Sequence, residues 1–252
     1  MSKAPREDLK NRVYVWIVKL GAWLMRRIDV KRTVHGIDQL PDTGGVVLAI
    51  SHFSYLDFVM AEWAIFDHNK RYTRFLATKK SFEAPVVGKL MSSMGHIPVD
   101  RNAGASAYQF AVEALQRGEI VGIFPETRVS RAFTLLPFKT GAARMAAESG
   151  CPIVPVTVFG SHRIKTRTHK VKLRHARHIP VDIRFGAPIF AAPGDDPDVV
   201  TDKVKQVMTD LLEESMDAYA LEPGAWWVPA HRGGSAPTPE LAQELDERKT
   251  QQ

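Results

Sequence analysis

The 252-residue chain has one cysteine, Cys151, which excludes an intrachain disulfide and fits a reducing compartment. Cys151 follows Ser149-Gly150 at the start of an apolar run, where a small buried residue is expected rather than a nucleophile. Long apolar runs are also missing. The best candidate, Val13 to Met25, is thirteen residues long, contains Lys19 and is bounded by charge, too short for a hydrocarbon core of about 30 Å. No secretory signal is expected, because the first twelve residues are polar and no small-residue cleavage site follows. A Gly-x-Ser-x-Gly elbow is absent, which disfavours a serine hydrolase, and so is a glycine-rich phosphate loop ending in Gly-Lys. There is no internal repeat.

The composition is that of an ordinary globular protein, with a length suited to one large or two small domains. Thirty-four Lys and Arg against 28 Asp and Glu leave a net charge of +6, so the surface favours anions. Candidates are phosphate-bearing small molecules, anionic lipid, an acidic carrier protein or nucleic acid. The excess is densest from Arg163 to Arg177, with seven basic residues and no acid. Aromatic residues for base stacking are missing there, which argues against nucleic acid. Its histidines sit among cations without a carboxylate, so no metal site is expected. Contact with coenzyme A phosphates, an acidic carrier protein or anionic lipid fits better; a solvated basic hairpin is the alternative.

Val13, Trp16, Ile17, Leu20, Trp23 and Leu24 fall on one broad face of a helix, with Lys and Arg on both flanks. Residues 1–33 are accordingly read as an amphipathic segment lying in a membrane interface, the alternative being a helix packed on its own domain. From residue 34 to 221 strands alternate with helices. The strongest strands are Gly45 to Ile50, Glu119 to Phe124 and Pro152 to Phe159. This predicts an α/β fold, a mostly parallel sheet covered by helices on both faces. Residues 222–252, with prolines at 223, 229, 237 and 239, are read as a mobile tail without regular structure, docked locally by Trp226-Trp227.

The chemistry centres on Ser51-His52-Phe53-Ser54-Tyr55-Leu56-Asp57, just after the first strong strand. A histidine can take a proton from a weak nucleophile and a carboxylate can fix its tautomer. Residues five apart on one helix point about 140° away from each other. His52 and Asp57 therefore meet only if the helix starts between them, with Ser54 as a plausible N-cap. The same spacing also fits a capping box, in which Asp57 only bonds the backbone of its own helix start. Three further blocks follow: Gly95-His96-Ile97-Pro98-Val99-Asp100-Arg101, Phe124-Pro125-Glu126-Thr127-Arg128-Val129-Ser130-Arg131 and Ile153-Val154-Pro155-Val156. In a parallel sheet, loops after strand ends converge on one crevice. Basic groups beside a general base suit a phosphate-bearing substrate whose hydroxyl must be activated.

These blocks, in this order, resemble the motifs of the glycerolipid acyltransferases, specifically bacterial 1-acylglycerol-3-phosphate acyltransferases, over about residues 30–190. Ser51, His52 and Asp57 match Asn-His-x-x-x-x-Asp. Gly95, Ile97, Asp100 and Arg101 match the second motif. Phe124, Pro125, Glu126 and Ser130 match Phe-Pro-Glu-Gly-Thr-Arg-Ser, and Pro155 matches the proline of the fourth. In the gapless register Thr127 stands at the family's glycine, Arg128 at its threonine and Val129 at its arginine.

The resemblance implies that His52 removes a proton from a glycerol hydroxyl, with Asp57 orienting its ring. Arg101, Arg128 and Lys139 are the candidate phosphate contacts and Glu126 a candidate contact to the glycerol backbone; solvated surface charge is the alternative for the basic three. No cofactor or metal is implied. Acyl-CoA or an acylated carrier protein is the thioester co-substrate, a lysophospholipid the acceptor, and the cytoplasmic face of a membrane the location, peripheral or monotopic. Val129 leaves open another lysolipid or a glycolipid as acceptor. A non-catalytic protein binding anionic membranes is the reading from a different class.

Overall fold

The computed structural model describes residues 5–100, 104–169, 171 and 176–250. Its centre is a seven-stranded sheet. The strands are β1 (Lys31–His35), β2 (Val46–Ile50), β3 (Thr73–Thr78), β4 (Ile97–Val99), β5 (Ile120–Ile123), β6 (Ile153–Phe159) and β7 (Pro180–Phe185), in the order β1-β7-β6-β2-β5-β3-β4. Pairings are parallel except β6 with β7. The expected fold class is therefore the observed one.

The central strand explains why. β2 is buried at every position. Val46, Leu48 and Ile50 enter one core, and Val47 and Ala49 the other. A strand apolar on both faces needs cover on both faces. Helix α2 (Asp57–Asn69) supplies Met60, Trp63 and Ile65 to the first side. On the second, α5 (Gly104–Gln116), α6 (Gly141–Ser149) and α7 (Pro197–Ala218) supply Ala111, Leu115, Met145, Val204 and Met208. β2 leads into α2 and the adjacent β5 leads into α6, so their following helices go to opposite faces. The carboxyl ends of β2 and β5 are thus a topological switch point, the place where open α/β sheets bind ligands.

Helix α1 (Pro5–Arg27) buries Tyr14, Val18 and Ala22 against α2 and the neighbouring α4 (Val87–Ser93). Of the face read as apolar, Trp16 (62%), Leu20, Trp23 (56%) and Leu24 are exposed, while Ile17 packs with Tyr14 and Val18. Two short helices, α3 (Lys79–Glu83) and α4, follow β3. The segment from 222 onward is ordered, which corrects the reading of it as an unstructured tail. Trp227, Val228 and Ala236 join a third core with Phe53, Phe133, Phe159, Leu212 and Met216. Pro239 opens helix α8 (Pro239–Thr250), a first-turn position where proline's missing N–H costs nothing.

Candidate active site

His52 follows β2 directly, and two backbone hydrogen bonds fix it to the loop after β5. Its N–H donates to Glu126 Oε1 at 2.8 Å, and its carbonyl accepts from Ser130 N at 2.8 Å. The imidazole stacks on Phe124, ring centroids 4.0 Å apart. Nδ1 faces Asp57 Oδ2 at 3.5 Å, which leaves Nε2 as the nitrogen free to meet a substrate. That separation is long for an N–H···O bond, as is common before substrate tightens a catalytic pair.

Asp57 is fully buried at the first position of α2. Its Oδ2 also accepts from Phe53 N at 2.8 Å and Ser54 N at 2.7 Å, while Ser54 Oγ accepts from Leu56 N. The capping interaction and the histidine–carboxylate pair therefore coexist in one group. Burial raises the Asp57 carboxyl above its ordinary range, against the lowering effects of His52, Ser161 and the backbone. Oδ1 accepts from Ser161 Oγ, a partner that nothing in the motif spacing indicated.

Glu126 is 2% exposed and both its oxygens are engaged, Oε2 accepting from Leu136 N at 2.9 Å. Burial pushes its carboxyl up to about 8, opposed by those backbone bonds and assisted by the charge of Asp57. As placed, Glu126 braces three loop segments, each of its oxygens accepting one backbone hydrogen bond.

Thr127 has a φ of 62°, the left-handed conformation that glycine adopts without steric cost. It stands at the family's glycine, so the backbone keeps the glycine conformation after the side chain has changed. Val129, at the family's arginine, is 5% exposed. Arg128 lies 3.6 Å from Asp246 of α8, Arg131 2.7 Å and Arg167 2.9 Å from the same carboxylate. The arginines of this loop thus converge on the C-terminal helix. Lys139 is exposed, with its backbone N–H on Pro125 O and no ion-pair partner among the described residues. Arg101 lies outside the described residues. Of the candidate site residues, then, the structure brings together His52, Asp57 and Glu126, with Arg128 and Lys139 on the same loop system. Among the described residues no cluster of ligands suits a metal. An open groove of about 520 Å³, lined by Tyr108, Ala143, Arg144, Glu148, Ala191 and Val200, shares no residue with this constellation.

The model of the acyltransferase family matches residues 31–159, β1 to the end of β6. The chain belongs to the acyltransferase family. Among its relatives are the chloroplastic 1-acyl-sn-glycerol-3-phosphate acyltransferase BAT2 of Brassica napus, 28% identical over 74% of this chain and 53% of that one. The 1-acyl-sn-glycerol-3-phosphate acyltransferase of Bacillus subtilis is 32% identical over 56% of this chain and 69% of that one. The chain spans about half the length of the plant relatives it matches. The fold is shared with the crystal structure of the 1-acyl-sn-glycerophosphate acyltransferase of Thermotoga maritima, at a TM-score of 0.66, 20% identity and coverage of 87% and 86%. Within the family region His52 and Asp57 lie at the β2–α2 junction, Glu126 after β5, and Pro155 in β6 beside Ala49 of β2.

Proposed function

We propose that the chain transfers an acyl group from an acyl thioester to the free hydroxyl of 1-acylglycerol-3-phosphate, giving phosphatidic acid. The observation that carries this reading is the meeting of His52 Nδ1 and Asp57 Oδ2 at 3.5 Å at the switch point of an acyltransferase-family fold. His52 Nε2 takes the proton of the acceptor hydroxyl, and the ionised Asp57 stabilises the resulting imidazolium. The oxygen attacks the thioester carbonyl, the carbon–sulfur bond breaks, and the leaving thiolate receives the proton from the imidazolium. General-base help of this kind is worth roughly 10²–10⁴ in rate. Coenzyme A or a carrier protein supplies the thioester; Arg101, Arg128 and Lys139 are the phosphate contacts in this reading, and Glu126 acts by holding the His52 loop.

The exposed Trp16, Leu20, Trp23 and Leu24 of α1 support a membrane-surface location, at the cytoplasmic face in this reading. Val86, Val87 and Leu90 of the adjoining α4 segment are exposed too, and Lys19, Arg26 and Arg27 favour anionic headgroups. No described helix is long and apolar enough to cross a membrane. A second reading keeps the chemistry and changes the acceptor. It is favoured by the buried Val129 and by the pairing of Arg128, Arg131 and Arg167 with Asp246 rather than with open space. Labelled acyl-CoA offered with 1-acylglycerol-3-phosphate, other lysophospholipids and glycolipids separates the two. Label in phosphatidic acid is expected; label only in a different product would move the assignment to the second reading, and none with any acceptor would sink both.

A further inference from the structure

Ser161 lies 104 residues from Asp57 in sequence, in a 3-10 turn (Ser161–Arg163) that follows β6. It is fully buried and its hydroxyl donates to Asp57 Oδ1. We propose that Ser161 is a positioning residue of the His52–Asp57 pair, its hydroxyl holding the Asp57 carboxylate in the orientation that turns Oδ2 toward His52 Nδ1. This deepens the acyl-transfer reading and rests on it.

The turn is built to hold that contact. Gly160 precedes it at φ 98°, and a Cβ there would lie 2.3 Å from the Pro180 carbonyl oxygen, so only glycine lets the chain pass this close to β7. Two more hydrogen bonds tie the same segment to the His52 loop: Ser54 Oγ donates to Lys165 O, and Thr166 Oγ1 donates to Phe53 O. The neighbouring His162 points away, its Nε2 donating to Trp227 O at 2.9 Å.

The division of labour follows from the chemistry of a buried carboxylate. Oδ2 is served by two backbone N–H groups and faces the imidazole. Oδ1 lies away from water and has Ser161 as its donor. Without that hydroxyl, a proton becomes the best partner for Oδ1, and a neutral carboxyl no longer stabilises an imidazolium. The ionisable groups around Asp57 are His52 on its own loop and Glu126 from the loop after β5; the 161–166 turn presents Ser161 and, through Lys165, only a carbonyl. The contact of His52 is to Oδ2, whereas the hydrogen bond to Oδ1 comes from Ser161.

Ser161→Ala removes the hydroxyl, and Ser161→Cys keeps nearly the same volume with a much weaker donor. Both are to be compared with wild type and His52→Ala for kcat and KM across pH, and for the titration of the Asp57 carboxyl by NMR of ¹³C-labelled aspartate. Expected for both serine variants are an unchanged KM, kcat lower by about tenfold or more at neutral pH, and an acid limb moved up by about one pH unit. The Asp57 titration moves the same way, a result that needs no turnover. An unmoved titration in both variants overturns the proposal, as does a wild-type profile for Ser161→Cys, which would make the serine a matter of volume alone. Failure of the parent reading looks different: no transfer by wild type, or undiminished transfer by His52→Ala.

Discussion

One oxygen of Asp57 closes the turn that starts α2, and the same oxygen faces His52. An asparagine can keep an acceptor oxygen for the turn but not the charge. Asp57→Asn is therefore expected to fold with nearly wild-type stability and to lose about 10²–10⁴ in kcat. Circular dichroism and a kinetic assay on the same sample check the two halves. The pH sign is fixed by burial. Asp57 is raised above its usual range, so its active ionised form is lost as pH falls through that raised value, earlier than for an exposed carboxylate. Thr127 makes a second residue-scale case. A β-branched side chain in the left-handed region costs roughly 1–2 kcal/mol, and Thr127→Gly relieves this against the extra freedom glycine gives the unfolded chain. Urea unfolding is expected to show a midpoint equal to or above wild type; a clear fall would contradict the strain. The sequence showed the glycine substituted, but only backbone angles show that the glycine conformation survived it.

Among the elements, α1 rests on a buried carboxyl. Glu62 of α2 faces Tyr14 of α1 and Thr73 of β3, and burial raises it to about 8, against a lowering effect from Arg74. An unfolded Glu62 loses its proton near 4.5, so the folded state binds the extra proton between that pH and about 8. This contribution to stability is complete below the unfolded value and is lost as pH rises through the folded one. Glu62→Gln is expected to flatten the fall of Tm across that window; an unchanged Tm–pH slope would rule the account out. Helix α8 is held differently, through Asp246, which Arg131 and Arg167 engage at 2.7 and 2.9 Å. Breaking a buried pair from one side costs about 3 kcal/mol or more, so Asp246→Ala should loosen α8 and make the 239–250 backbone exchange amide hydrogens faster. These elements were unevenly legible. β2 was plain, because Val46–Ile50 is apolar throughout. β1 was not, because Lys31–His35 is a polar strand with alternating exposure. α8 was hidden by its charge and by Pro237 and Pro239, read as breakers although proline also opens helices. For α1 the helix was legible but its buried face was not: apolar residues nearly encircle it, and the core took Tyr14, Val18 and Ala22.

For the whole molecule, the order of strands places the chemistry. β2 and β5 are neighbours whose following helices diverge, so the His52 and Glu126 loops meet although the two residues lie 74 apart in sequence. His52, Asp57 and Glu126 were readable because each lies in the segment that follows a strand end. Ser161 was not, since its role depends on β6 lying on the other side of β2, a fact of topology that no local spacing encodes. The proposed membrane face makes a prediction at this scale as well. Trp16→Ala with Trp23→Ala should weaken sedimentation with anionic liposomes while leaving transfer to a soluble short-chain acceptor unchanged. Equal sedimentation of the double variant and wild type would remove α1 from that role.

The central claim is that His52 is the base for an acyl transfer. Its most direct measurement is the rate of acyl transfer from labelled acyl-CoA to the accepted lysolipid by wild type and by His52→Ala, at equal Tm and at saturating substrates. A loss of about 10²–10⁴ in kcat with KM nearly unchanged is predicted; a variant that retains wild-type kcat would contradict the account.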